Sequence, residues 1–185
     1  MASKNHITAD YVRQALEYNQ ATGKFHWRER PVQHFQDGKQ SAAHNRAAWN
    51  GKHAGMVAGT VYDGARIKIT LDGRRYLAHR LAWLWMKGKW PADQIDHHDV
   101  DPSNNRWLNL REATNGQNAH NTRAHRDNTS GFKGVYWHKL AGKWQAQIMH
   151  NGKNIHIGLF DTREEAAAAR AIISAKLHGE FARAA

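Results

Sequence analysis

The stretch QIDHHDVDPSNNRWLNLREATNGQNAHN, residues 94–121, decides how the chain is read. Side chains able to bind a metal or move a proton are unusually dense in it. Local signals divide it into a short strand ending at Asp96-His97, a tight polar loop, a second short strand near Leu108–Arg111, and a helix. Thr114-Asn-Gly-Gln117 is a capping box, so Asn118 falls in the first helical turn. Such a helix can bring Asn118 back against the Asp96-His97 strand, and Asp, Asn and a nearby His then form an oxygen-rich pocket suited to Mg²⁺ or Mn²⁺. A neutral histidine there can take a proton from water, and a metal beside it can stabilise the oxyanion leaving a cleaved phosphodiester.

Upstream, Thr8 is an N-cap and Ile7 and Val12 a hydrophobic staple, so 8–18 reads as an amphipathic helix continued by Tyr11, Ala15 and Leu16. Thr22-Gly23 breaks into a strand over Lys24–Arg28. Residues 31–54 are rich in Gln, His, Asn, Gly and Ala without a clear period and read as a mobile loop. Asp63-Gly64 and Asp72-Gly73 are hairpin signals for a three-stranded meander over 58–77. Ala78–Lys87 follows as a helix with Ala78, Leu81, Ala82 and Trp85 on one face, ended by Gly88 and Pro91.

Downstream, Ala124–Gly131 is a polar linker. Beyond it, Val135/Trp137, Trp144/Ala146/Ile148 and Ile155/Ile157/Leu159 alternate with the period of half-buried strands. Thr162-Arg-Glu-Glu165 is a capping box opening a helix to about His178, with Ala166, Ala169 and Ile173 on its inner face. Three antiparallel strands backed by one helix leave one sheet face uncovered. Trp137 and Trp144 fall on the helix side, as core.

The net charge of +11 and a pI near 10.1 imply a polyanionic partner. The candidates are nucleic acid and an anionic membrane; no apolar run reaches the roughly 18 residues of a membrane span, which excludes a transmembrane segment, and the partner expected is nucleic acid and no membrane. The beginning of the chain is polar, with no apolar signal-peptide core, so a cytoplasmic protein is expected. Charge does not segregate: both 1–128 and 129–185 are basic, so both are candidates for the same polyanion. Without cysteine, disulfides and thiolate-ligated zinc are impossible, and any metal must sit on nitrogen or oxygen.

The decisive stretch resembles the HNH (ββα-metal) endonucleases, specifically their phage and intron homing branch. The resemblance is carried by Asp96-His97, Asn104-Asn105, Asn109-Leu110 and Asn118, with Tyr76-Leu-Ala-His-Arg-Leu-Ala-Trp83 and Ile95-Asp-His upstream. It implies His97 as general base, Asp96 and Asn118 as ligands of one divalent ion (Mg²⁺ or Mn²⁺), and Asn109 as a non-catalytic brace for the loop that orients His97. His98 should face the other way, for a structural or phosphate contact, and His79 should hydrogen-bond within the fold. Asp99 and Asp101 lack the pattern of a calcium loop. An all-histidine zinc site on His120 and His125 is disfavoured.

Residues 131–180 resemble the APETALA-type (ethylene-response-factor) DNA-binding domain. Phe132-Lys-Gly-Val-Tyr-Trp137, Gly142-Lys-Trp144, Ala146-Gln-Ile148, Ile157-Gly-Leu-Phe-Asp-Thr162 and Glu164-Glu-Ala-Ala167 carry the likeness. That family places its exposed sheet face in the major groove. By alternation the face here offers Tyr136, His138, Gln145, Gln147, Met149, Asn154 and His156, with Lys133 at its start. It carries none of the arginines the plant domains place there, so their site preference cannot be inherited.

The expected architecture is therefore α+β: a nuclease domain over 1–125, with its ββα-metal core at about 92–123, and an APETALA-type domain over 126–185. The expected activity is metal-dependent, site-selective cleavage of double-stranded DNA, by a monomer or a homodimer on DNA, in the cytoplasm of a bacterial host. The alternative is a non-catalytic DNA-binding regulator on a nuclease scaffold. Intact Asp96, His97, Asn109 and Asn118 favour the enzyme. An RNA-directed protein fits the charge but not the C-terminal resemblance.

Overall fold

A computed structural model describes residues 7–120 and 127–182. The chain forms two compact units, 1–112 and 113–185.

In the first unit, helix α1 (Ala9–Ala15) is capped by the Thr8 hydroxyl, which accepts from the Tyr11 amide at 3.2 Å. The helix stops earlier than the sequence predicts. Leu16 is already extended (φ −135°, ψ 143°) and opens strand β1 (Leu16–Asn19), antiparallel to β2 (Lys24–Trp27). Leu16 and Tyr18 point into the core from alternate positions, a period-two burial that sheet pairing imposes over helix propensity. Strand β2 also pairs with β3 (Val57–Ala58).

The expected loop at 31–54 is instead a 3₁₀ turn at Val32–His34 and helix α2 (Ala42–His53). The Ser41 hydroxyl caps α2 by accepting from the His44 amide, and the alanines supply propensity. This helix buries no residue, so it has no apolar period to betray it. Tertiary contacts hold it. Asn50 accepts from the Arg30 amide and donates to the Arg30 carbonyl, each at 3.0 Å. Trp49 meets Trp27 edge-on. The buried Arg30 guanidinium lies near the rings of Phe35 and Trp49 and pairs with Asp72 at 2.6 Å.

The meander takes the expected form, with β4 (Thr60–Tyr62), β5 (Arg66–Leu71) and β6 (Arg74–Leu77) adjacent in that order. It runs directly into α3 (Ala78–Lys87), which ends at Gly88 in the left-handed conformation (φ 73°). Helix α3 buries Ala78, His79, Leu81, Ala82, Trp83 and Leu84; Trp85, expected on the inner face, is half-buried. Val12, Leu16, Phe25, Ile69 and Leu81 are essentially sealed from water, each worth about 1.5–3 kcal/mol of burial. Strands β7 (Gln94–His97) and β8 (Leu110–Ala113) form a separate two-stranded sheet.

In the second unit, α4 (Asn115–His120) precedes a three-stranded antiparallel sheet. Its strands are β9 (Val135–His138), β10 (Lys143–His150) and β11 (Lys153–Phe160), with β10 central and α5 (Arg163–His178) packed on it. The described part of the expected linker is folded: buried Ser130 donates its hydroxyl to the Val135 carbonyl at 2.7 Å. The capping box of α5 forms as its sequence predicts, but the helix buries Ala166, Arg170 and Ser174 rather than Ala166, Ala169 and Ile173. Gly134 explains how Arg170 fits, since a Cβ there (φ 70°) would lie 2.4 Å from the Gln147 carbonyl oxygen and 2.6 Å from the Arg170 Nε.

A register shift in β11 changes the uncovered face. Ala146 lies opposite Gly158, but Gln147 lies opposite His156, so Ile157 is the extra residue of a bulge. Beyond the bulge the alternation flips, and Leu159, expected on the helix side, lies opposite Gln145 on the outer face, 41% exposed. Trp137, also expected in the core, is exposed and meets Trp144 edge-on. Among the described residues no helix is long and apolar enough to cross a membrane.

Candidate active site

Asp96 and His97 end β7, and Ile95, Asp96 and His97 are all buried, so both faces of the strand are covered there. A buried carboxylate requires a cation or several donors. Arg111, on β8, supplies one: its Nε and Nη2 lie 2.9 and 2.8 Å from Asp96 Oδ2. The His97 Nε2 lies 3.2 Å from the Oδ1 of Asn105, a residue 1% exposed. His79, from the first turn of α3, meets the His97 ring edge-on, with centroids 5.1 Å apart. Burial, followed by the nearby charges of His97, Arg80 and Arg66, lowers the His79 pKa to about 3. His79 is therefore neutral at physiological pH.

The loop after His97 is built from side-chain to backbone hydrogen bonds. Its first turn is closed by the Val100 amide donating to the His97 carbonyl at 2.9 Å. Val100 sits at φ 63°, a conformation that costs a β-branched residue on the order of 1–3 kcal/mol. Asn109 joins both ends of the loop. Its Oδ1 accepts from the Asp99 amide (3.0 Å), and its Nδ2 donates to Asp99 Oδ1 (2.9 Å) and to the Asn104 carbonyl (2.7 Å). Its own carbonyl accepts from the amide of His98, an exposed residue. Burial pushes the Asp99 carboxyl up, but the Asp101 amide and the Asn104 and Asn109 side chains outweigh it and hold the pKa below the usual range. Asp101 is held low by the hydroxyl and amide of Ser103.

The β1–β2 hairpin clamps the loop from behind. The buried Tyr18 hydroxyl donates to the Asn105 carbonyl at 2.6 Å, and the Trp107 amide donates to the Gln20 carbonyl at 3.0 Å. Burial raises the Tyr18 pKa, so the phenol keeps its proton. The hairpin backs directly onto the loop: at Gly23 (φ 73°) any Cβ would fall 2.4 Å from the Asn105 carbonyl carbon.

Asp96, His97 and Asn109 thus belong to one compact loop-and-strand assembly in the first unit. Asn118 lies on α4 in the second unit, half-buried, with its amide donating to the Thr114 carbonyl at 2.9 Å. The capping box that starts α4 is formed by Thr114 and Gln117 as their sequence predicts. The His120 side chain and His125 lie outside the described residues, as do 121–126 of the expected nuclease core and linker. Among the described residues no three His, Asp or Glu side chains cluster as a metal site. The Asp96 carboxylate is nonetheless a hard oxygen donor of the kind Mg²⁺ or Mn²⁺ takes, and an ion bound to it would share Asp96 with Arg111.

In the second unit the outer sheet face carries Tyr136 opposite Gln145, Gln147 opposite His156, and Met149 opposite Asn154. Gln145 and His156 lie within hydrogen-bond reach at 3.1 Å. His138 ends β9 opposite Lys143 on the same face, and half-buried Lys133 precedes the strand.

Comparison with known proteins places this assembly. The HNH endonuclease family profile matches residues 76–120, a span that contains β7, the loop after it and β8. Over 106 residues the chain is 34% identical to protein 3.8 of Escherichia phage T7, an alignment covering 57% of this chain and 87% of that protein. The chain belongs to the same family as phage T7 protein 3.8. Residues 76–120 are an HNH endonuclease family domain, which implies nucleic-acid binding and a nuclease-type site. No solved structure matches the chain.

Sequence reasoning named Asn105 only within the Asn104-Asn105 pair of the resemblance and Arg111 only as a strand end, and it gave neither of them, nor Tyr18, a part in the site. The first two stand inside the decisive stretch, and a buried acid beside a histidine was itself a signal that a nearby arginine and amide would be needed. Nothing local marks Tyr18, which is 87 residues from its acceptor.

Proposed function

We propose that the chain is a metal-dependent, site-selective DNA endonuclease of the homing type. The observation that carries this reading is the buried Asp96-His97 pair on a loop stiffened by Asn109, inside the segment matched by the HNH family. In this reading His97 takes a proton from the water that attacks the phosphodiester phosphorus. Asp96 and Asn118 would hold one divalent ion, Mg²⁺ or Mn²⁺, which would supply charge stabilisation for the departing oxyanion. Asn109 fixes the loop that aims His97 and touches neither water nor metal. Arg111 neutralises Asp96 and keeps its carboxylate oriented.

The nuclease domain extends in this reading to residue 125, and residues 126–185 form an APETALA-type module that lays its outer sheet face in the major groove. Basic charge on both holds the backbone. One site per chain cuts one strand, so a double-strand break takes two chains or two binding events. The protein acts in the bacterial host cell of a phage.

Supercoiled plasmid incubated with the full-length protein tests the proposal. Nicked or linear product is expected with Mg²⁺ or Mn²⁺ and none with EDTA. His97→Ala should slow cutting on the order of 10²–10⁴-fold while leaving DNA affinity nearly intact, because the base acts in the transition state. Cleavage at full rate by folded His97→Ala protein, or by wild type without metal, would overturn it.

A further inference from the structure

We infer that Asn105 is a positioning residue that sets the tautomer of His97, placing the proton on Nε2 and the basic lone pair on Nδ1. This deepens the nuclease reading above by naming which nitrogen of His97 carries the ring proton.

The argument starts at the far end of the amide. An asparagine side chain has one donating end and one accepting end, and which is which follows from its partners. The Asn105 Nδ2 points at the Ser103 carbonyl oxygen at 3.3 Å, an atom that only accepts. The donating end of the amide is thereby assigned, and Oδ1 is left facing His97 Nε2 at 3.2 Å. An amide oxygen cannot donate. For the neutral imidazole to make this contact, Nε2 must carry the hydrogen, and the ring's lone pair must then sit on Nδ1.

The amide is itself immobilised. Asn105 is 1% exposed, so turning it over would set two acceptors, Oδ1 and the Ser103 carbonyl oxygen, against each other without water to separate them. Its main chain is tied by Tyr18 at 2.6 Å and backed at Gly23, where not even a methyl group fits against the Asn105 carbonyl carbon. A hairpin more than 70 residues upstream thus sets the proton position of the histidine through one amide. The neighbouring His79 meets the His97 ring edge-on and restricts its rotation.

The test is long-range ¹H–¹⁵N NMR of the full-length chain, with imidazole nitrogens labelled, at a pH where His97 is neutral. Wild type is expected to show the Nε2–H tautomer with a slowly exchanging ring proton. Asn105→Asp, which keeps an acceptor but loses the Nδ2 donor, should retain that tautomer. Asn105→Leu, which removes the acceptor, should lose the slow proton and show mixed tautomers. Plasmid cleavage should follow the same order: kcat for Asn105→Leu falls on the order of 10²–10⁴-fold with KM little changed, and Asn105→Asp recovers part of it. A role confined to folding would instead make the two variants alike. An Nδ1–H tautomer in wild type overturns the inference even if the protein cuts DNA, and so does an unchanged slow proton in Asn105→Leu. If Asn105→Leu does not fold, the wild-type and Asn105→Asp spectra decide. Absence of any cleavage would sink the nuclease reading and leave the tautomer result standing on the spectra.

Discussion

Replacing Tyr18 by phenylalanine removes one oxygen atom and isolates the link between the β1–β2 hairpin and the loop that follows His97. The ring remains, packed against Phe25 at 4.8 Å and edge-on to Trp85 at 6.0 Å, so little apolar burial is lost. What disappears is the 2.6 Å hydrogen bond to the Asn105 carbonyl, made by a side chain in a residue 5% exposed. A buried acceptor deprived of its donor costs about 1–3 kcal/mol. For a domain near 100 residues, 2 kcal/mol corresponds to a Tm lowered by roughly 10 °C. The carbonyl belongs to Asn105, so relaxing it also relaxes the amide against His97. Cleavage should therefore slow by about 10-fold or more below the melting range, since an error on the order of 1 Å in a catalytic geometry can cost 10²-fold. Calorimetry with plasmid nicking on Tyr18→Phe measures both. A Tm within about 1 °C of wild type, with unchanged nicking, would refute the clamp.

His79 gives a pH dependence. Its folded pKa of about 3 lies below its ordinary 6.5, so the unfolded chain binds the extra proton. Its stabilising contribution is complete above pH 6.5 and is lost as pH falls from there toward 3, at up to about 1.4 kcal/mol per pH unit. Urea midpoints at pH 7 and pH 5 should fall more steeply for wild type than for His79→Asn, and parallel slopes would show that His79 is not buried neutral. On the outer sheet face, Gln147 and Asn154 carry amides able to pair with adenine edges. Substituting either by alanine should change the preferred cleavage site while leaving metal dependence intact, and an unaltered footprint would remove that face as the DNA reader.

The sequence alone determined the features that rest on local chemistry. Hairpin signals at Asp63-Gly64 and Asp72-Gly73, the apolar stripe of α3 and the capping boxes at Thr114 and Thr162 each act within a few residues, and each formed where its spacing predicts. The density of Asp, His and Asn at 96–118 likewise marked the candidate site without any knowledge of contacts. Tertiary structure decided what depends on partners distant in the chain. Helix α1 gave up Leu16–Tyr18 because β2 offered a ladder to pair with, and α2 formed over an aperiodic stretch because Arg30, Asn50 and Trp49 anchor it. The bulge at Ile157 moved Leu159 across the sheet, since one extra residue reverses every side chain beyond it. Asn105 could be placed beside His97 only by the fold: its amide is oriented by Ser103 two residues away, but the backbone that carries it is held by Tyr18, and a contact across 87 residues leaves no period or spacing in the sequence to read.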